Sequence, residues 1–243
     1  MKVLVCMSVV PDTTTKITFT DNNTAFNTAG VQYIINPYDE LAITRALELA
    51  EANNGTVTVV HVGTAENEPS IRKALSMGVN EAIRIDSQAF DAQFVAEQVA
   101  NIAQGYDLIL TGRESIDYNG GAVCGLLGAL LNIPSVNVVT KIDFEGGVFK
   151  FVRDIDGGRE SLETAGPCVA SAQKDLCEPR IPNMRGIMAA RTKPLTVLAP
   201  KDAQSSTQYN SYETPTAKSG VKLIDADNAG ELINILRNDL KII

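Results

Sequence analysis

From Thr111 to Gly121 the chain reads TGRESIDYNGG, a stretch whose residue types suit the holding of an anion. Glycine lets main-chain N–H groups approach a phosphate, and a helix that starts after such a loop turns its positive end toward the charge. Arg113 can balance phosphate charge or pair with a local carboxylate. Asn36 follows the apolar Val31 to Ile35 and precedes Pro37, so its side chain is placed to cap the coming helix. His61, the only histidine, ends a β-branched run and reads as structural rather than catalytic. Cys6, Cys124, Cys168 and Cys177 are far apart, with no C-x-x-C pair, and read as small buried thiols. No nucleophile with a neighbouring base stands out, and no acid–base pair does. The chemistry on offer is the binding of a phosphorylated ligand.

A second block, Arg153 to Arg191, reads RDIDGGRESLETAGPCVASAQKDLCEPRIPNMRGIMAAR. It joins an Asp-Gly-Gly turn, a Pro-bounded apolar segment and a Pro-rich exit, which makes it a fixed surface device rather than repetitive core. Within it, Arg180 to Ile187 has no strong helix or strand period. Met184, flanked by Pro182 and Arg185, either inserts its flexible thioether into a partner's pocket or tucks into the core.

These residues need a scaffold, and the periodicity supplies one. Val3 to Val10, Thr56 to Val62, Ala82 to Ile85 and Leu108 to Thr111 are β-branched-rich runs. Helical patterns fall at Pro37 to Asn53, Glu68 to Met77, Asp91 to Gln104, and from near Gly120 to Leu131. The alternation predicts an α/β, Rossmann-like fold. Its mostly parallel sheet carries helices on both faces and its ligand site at the carboxyl ends of the strands. After Pro134 the pattern changes: Val136 to Phe144, Val148 to Ile155 and Glu160 to Leu162 are strands joined by Glu145-Gly146-Gly147 and Asp156-Gly157-Gly158, an antiparallel hairpin extension. The composition turns polar from Lys201 to Gly220, as in an extended arm. Helix periodicity returns at Asn228 to Leu240, with Leu232, Ile235, Leu236 and Leu240 on one face that docks on its own domain or on a partner.

Composition narrows the function. Of 243 residues 44% are apolar, ample for a core. The net charge of -8, with only 21 Lys and Arg, argues against a nucleic-acid or anionic-membrane surface. No apolar run approaches the roughly 18 to 20 residues of a transmembrane segment, and Met1 to Val10 is too short and strand-like for a signal peptide, so a cytoplasmic location is expected.

Val152-Arg153-Asp154-Ile155-Asp156-Gly157-Gly158-Arg159-Glu160, with Pro167, Glu178-Pro179-Arg180 and Ile187-Met188, resembles the signature of the electron transfer flavoprotein β subunit. The similarity extends to Pro11-Asp12, Asn36-Pro37-Tyr38-Asp39-Glu40, Ile71 to Gly78, Thr111-Gly112-Arg113, Ile116-Asp117 and Gly220-Val221-Lys222. It implies the adenine nucleotide α-hydrolase-like version of the fold and a heterodimer. The α subunit would hold most of a redox-active FAD, while this chain holds a structural AMP. Electrons would pass from flavin dehydrogenases, such as acyl-CoA dehydrogenases, to a quinone reductase or other acceptor, so the chain is a carrier subunit and not an enzyme. The nucleotide contacts so implied are Cys6, Met7, Ser8, Asn36, His61, Val62, Thr111, Gly112, Arg113, Asp117, Gly120, Gly121, Ala122 and Val123. Glu178, Arg180, Met184, Arg185, Ile187 and Met188 would form a recognition loop (178–191) within a nucleotide-binding domain spanning 1–200. Met184 aligns with the leucine anchor of that loop, and Asp154 would lie near the flavin. Residues 201–243 would be an arm and helix docking on the α subunit.

Departures from the family pattern fall at Ser8, where a lysine is common, and at Gly121-Ala122-Val123-Cys124, where a polar Asn-Gln-Thr-Gly run is common. The phosphate grip therefore differs in detail. Phe151 and Ala170 change apolar size only, and Asp154 shortens a usual Glu. A bifurcating branch of the family binds a second FAD in place of AMP, and Thr111-Gly112-Arg113 has some similarity to it. Adenylating enzymes of related layout need a Ser-Gly-Gly-type loop after the first strand, where this chain has Ser8-Val9-Val10-Pro11. A stand-alone nucleotide-binding module would need neither the loop at 180–191 nor the arm.

Overall fold

A computed structural model of the chain describes residues 1–218 and 220–243. The first strand, β1 (Lys2–Cys6), is shorter than the expected Val3 to Val10 run, because the chain leaves the sheet at Ser8. There the Ser8 N–H donates to the Asp39 carboxylate rather than to a neighbouring strand. The remainder, β2 (Val9–Pro11), pairs antiparallel in a small ribbon with β5 (Tyr33–Ile35), and β3 (Phe19–Thr20) pairs with β4 (Ala25–Phe26) between them. Then follow α1 (Pro37–Ala52), β6 (Thr56–Val62), α2 (Glu68–Ser76), β7 (Glu81–Ile85), α3 (Ala92–Ala100), β8 (Leu108–Gly112) and α4 (Val123–Leu131). The last of these starts three residues later than the pattern suggested, because Gly120 is bridged to Ser115.

The carboxyl-terminal half contributes β9 (Ser135–Glu145), β10 (Val148–Ile155), β11 (Gly158–Thr164), β12 (Cys168–Ala172), α5 (Met184–Ala190), β13 (Leu195–Leu198) and α6 (Ala229–Asn234), the last continued by a π-helical turn over Ile235–Asp239. One sheet unites nine strands in the order β11-β10-β9-β12-β8-β1-β6-β7-β13. Every neighbouring pair from β9 to β13 is parallel, and β10 and β11 extend it antiparallel. This is the mostly parallel α/β architecture with a hairpin extension. Among the described residues no helix is long and apolar enough to cross a membrane.

Central strands bury both faces. In β1, Val3 and Val5 join one core cluster with α1 and α2, whereas Leu4 and Cys6 join a second with α3 and α4. Val57 and Val59 against Val60 and Val62 in β6, and Leu108 and Leu110 against Ile109 in β8, divide likewise. Such strands show no apolar–polar alternation, as expected for a parallel sheet covered on both sides. The edges differ: β11 carries Arg159, Glu160 and Glu163, charges that discourage pairing with another chain.

Helices α2 and α5 pack as a pair that is closed by cations. Arg72 Nη1 donates to Ala190 O and Lys193 O at 2.9 and 2.7 Å, and Lys193 Nζ donates to Leu75 O and Val79 O at 3.0 and 2.6 Å. Positive side chains thus satisfy carbonyls left over at helix carboxyl ends. A Cβ at Gly186 would stand 2.3 Å from Ser76 O, so only glycine permits this approach of α5 to α2.

The hairpin extension has its own apolar anchor. Phe149 is buried in β10, with ring centroids 4.5 Å from Phe144 and 6.2 Å from Phe151. Phe149→Ala is expected to cost about 3–5 kcal/mol, measured as a lowered midpoint in urea unfolding. A shift equivalent to less than about 1 kcal/mol would show that the extension does not depend on this ring.

Candidate functional site

A cleft of about 980 Å³ opens where β1, β6 and β8 end. The chain passes from β1 outward through β6 and β7 and then returns to the other side of β1 with β8, so the cleft lies at the point where strand order reverses. In open parallel sheets that is where ligands bind. Cys6, Met7, Ser8, Asn36, His61, Val62, Thr111, Gly112, Asp117, Gly120, Gly121 and Val123 all line it. Arg113 and Ala122 do not. Arg113 pairs instead with Glu114 at 3.4 Å and donates to Gln173 Oε1 at 3.4 Å, on the far side of the loop.

The floor is built around Asp39, a residue of the helix start that the sequence did not single out. Its carboxylate is buried; Oδ2 accepts from Ser8 N at 2.8 Å and Ser8 Oγ at 2.6 Å, and Oδ1 accepts from Gly112 N at 2.7 Å. One side chain thus ties the exit of β1 to the end of β8. A Cβ at Gly112 would fall 2.3 Å from Asp39 Oδ1, so glycine is required there. Burial pushes the Asp39 carboxyl up to about 6, against the lowering effect of the hydrogen bonds from Ser8, Asn36 and Gly112.

Asn36 does not cap α1 with its side chain, as its place before Pro37 had suggested. Its backbone carbonyl accepts from Asp39 N and Glu40 N, whereas its Nδ2 donates to Glu114 O at 2.8 Å and its Oδ1 accepts from Ile116 N at 3.3 Å. The amide is taken up in holding the loop after β8 against the helix. A partner 78 residues away outweighs the local cap.

His61 is buried, with Nδ1 donating to Met7 O at 2.8 Å. That bond leaves Nε2 as an acceptor. Burial holds the imidazole below its usual value, so it is neutral at pH 7. Nε2 has the Asn67 side chain beside it but makes no hydrogen bond. Arg84 reaches under this wall, donating to Gly63 O at 3.0 Å. Cys6 and Cys124 are pushed up to about 12 by burial, which removes them as nucleophiles.

The walls are acidic. Asp39, Glu66, Asp91, Glu114 and Asp117 line the cleft, and among the described residues no lysine or arginine does. The first-turn N–H groups of α4 have no side-chain cap from Ala122. Tyr118, Phe90 and the segment Ser206 to Tyr209 complete the rim. Sequence spacing could not have brought the last of these to the site. Among the described residues no group of three or more His, Cys, Asp or Glu is placed to hold a metal ion.

A second surface lies away from the cleft. Contrary to the aperiodic reading, Met184–Ala190 is helical, because Asn183 caps it by accepting from Gly186 N at 2.8 Å. Met184 is 74% exposed, Met188 60%, and Ile181, which the sequence did not single out, 87%. Arg185 and Ile187 share this face of the chain and are also exposed, and Glu178 is at its base. Arg180 is engaged within the chain, in a bidentate pair with Glu51 at 2.6 and 2.9 Å. Asp154 pairs with Arg159 at 3.3 Å on the hairpin extension.

Asp39→Asn would set an amide N–H against one of the floor's donors, and a buried donor without a partner costs about 1–3 kcal/mol. The variant is expected to be destabilised by that amount at pH 7 in denaturant unfolding. The folded carboxyl titrates above its ordinary value, so its contribution to stability is full below that ordinary value and is lost as pH rises toward about 6. The stability gap between wild type and Asp39→Asn should therefore narrow between pH 4 and pH 7. A gap that widens with pH would contradict the buried, raised carboxyl.

A profile described as the electron transfer flavoprotein domain matches residues 23–203. The electron transfer flavoprotein subunit beta of Bacillus subtilis (strain 168) is 36% identical over 230 residues, covering 88% of this chain and 90% of that protein. Its counterpart from Syntrophomonas wolfei is 34% identical over 249 residues, covering 100% and 98%. The subunit beta of Bradyrhizobium diazoefficiens is 29% identical over 252 residues, with both chains covered in full. With its sheet, its cleft and nearly its whole length accounted for in this way, the chain belongs to the electron transfer flavoprotein β-subunit family.

Proposed function

We propose that this chain pairs with an electron transfer flavoprotein α subunit and holds an adenine nucleotide, AMP, in the cleft at the β1–β8 switch point. The observation that carries the reading is a polar floor committed to itself. Asp39, Asn36 and the His61 Nδ1 are all bound to main chain, so the polar groups of the floor are spent on holding the strand ends and the loop after β8 in place. The residues fit a nucleotide: Cys6, Met7 and Val62 would pack on adenine, and the N–H groups of Gly121 and Val123 would take the phosphate. The acidic walls make that phosphate grip depend on backbone dipoles. Redox chemistry is supplied by FAD held mainly in the α subunit, and this chain positions and presents it.

The exposed Ile181, Met184 and Met188 face would receive flavin dehydrogenases. Residues 201–243 would be the arm that grips the α subunit, since Val221, Leu223, Leu232, Ile233 and Leu240 are exposed apolar side chains in want of a cover. Electrons would leave to a quinone reductase or other acceptor. Four free cysteines suit the reducing cytoplasm.

A cleft of about 980 Å³ lies at the upper end of ligand sites and also leaves room for a dinucleotide, which favours a second FAD as the alternative occupant. The deciding experiment is co-expression with the α subunit, denaturation of the purified complex and assay of released nucleotides. One FAD with one AMP supports the proposal, two FAD without AMP the bifurcating alternative, and a complex without flavin contradicts both. Met184→Ala is expected to weaken dehydrogenase coupling about tenfold, read as a raised KM for the carrier, with FAD content unchanged. Equal transfer rates at saturating and limiting dehydrogenase would remove the docking role.

A further inference from the structure

We infer that the segment Ser205 to Tyr209 is a strap forming the outer wall of the nucleotide site, latched by Asp91, and that nucleotide exchange requires the latch to open. This rests on the nucleotide reading of the cleft. The strap is fixed at three points. It begins where Gln98 holds Lys201, accepting from its N–H at 2.8 Å and donating to its carbonyl at 2.9 Å. At its middle, one oxygen of Asp91 accepts from Ser206 N at 2.6 Å, Thr207 N at 2.8 Å and the Thr207 hydroxyl at 3.2 Å, while the Ser205 hydroxyl donates within the strap to Thr207 O at 2.5 Å. It ends at Tyr212, whose N–H donates to Asn23 O at 2.7 Å and whose ring stacks on Phe19 at 4.8 Å and on Tyr209 at 5.8 Å.

The strap therefore spans from the start of α3 to the β3–β4 hairpin, and Ser206, Thr207, Gln208 and Tyr209 face the cleft. Tyr209 and Tyr118 are each more than half exposed at its mouth and present ring faces on which a planar base can stack. A ligand seated on the β1–β8 floor lies beneath this crossing. Convergence of three donors on one carboxylate oxygen is a strong local attachment, because hydrogen bonds to a charged acceptor are about twice as strong as neutral ones. Removing that one side chain frees the whole middle of the strap.

Asp91 also caps α3, its other oxygen accepting from Phe94 N at 2.8 Å. Asp91→Ser is the discriminating variant, because serine retains the cap but cannot gather the three strap donors. The complex of the full chain with its α subunit is loaded with labelled AMP and chased with unlabelled AMP. Asp91→Ser is expected to speed release about tenfold or more, with AMP stoichiometry at saturation unchanged. Amide hydrogen exchange at 205–209 in the wild-type complex should slow when AMP is added. An unchanged release rate in Asp91→Ser, or no added protection, overturns the strap while leaving the nucleotide site standing. A wild-type complex that binds no adenine nucleotide overturns the site itself, and the strap with it.

Discussion

The buried carboxylate of Asp39 is the interaction on which the site depends. Parallel strands end in carbonyls and amides that need partners once the chain leaves the sheet. Here one side chain from the start of α1 accepts from the exits of two adjacent strands, Ser8 after β1 and Gly112 ending β8. That sets the gap between the strands at the point where their order reverses, and the gap is the cleft. It also explains why α1 begins where it does. Pro37 takes the first helical turn, where its missing N–H costs nothing, and Asp39 then points back into the sheet. The cost is a carboxyl kept in an apolar setting, visible in its raised titration.

Around that floor, the fold has two unlike faces. The α1, α2 and α5 face carries the larger buried cluster and the exposed apolar side chains of α5, and the α3 and α4 face carries the smaller cluster and the attachment of Lys201 and the segment Ser205 to Thr207. The same nine-stranded sheet stands between them. Arg72 and Lys193 make α5 part of the sheet's covering layer through α2, and so a short helix that would not persist alone is held in one orientation.

Much of the scaffold was legible in the sequence, for stated reasons. β-Branched runs such as Thr56 to Val62 and glycine turns such as Asp156-Gly157-Gly158 act locally, and the strands and hairpins they mark are present. β12 was not assigned because Cys-Val-Ala-Ser-Ala is dominated by small residues of weak strand preference; only burial between β8 and β9 makes it a strand. The break at Ser8 depends on a side chain 31 residues on, and the true work of Asn36 on a loop 78 residues away. The strap at 205–209 meets Asp91 across more than a hundred residues of chain. These are tertiary choices that no window on the sequence contains, and all three fall at the site.

The join between Gln98 and Lys201 has a mechanical meaning. Its amide meets the main chain of residue 201 on both sides, donor to carbonyl and acceptor to N–H, much as one residue of a neighbouring strand would. Any tension applied to the residues beyond 201 reaches α3 through this side chain before it reaches β13, the exposed edge strand held only by β7. The load is thus shared with a helix packed in the core before the β13–β7 ladder carries it.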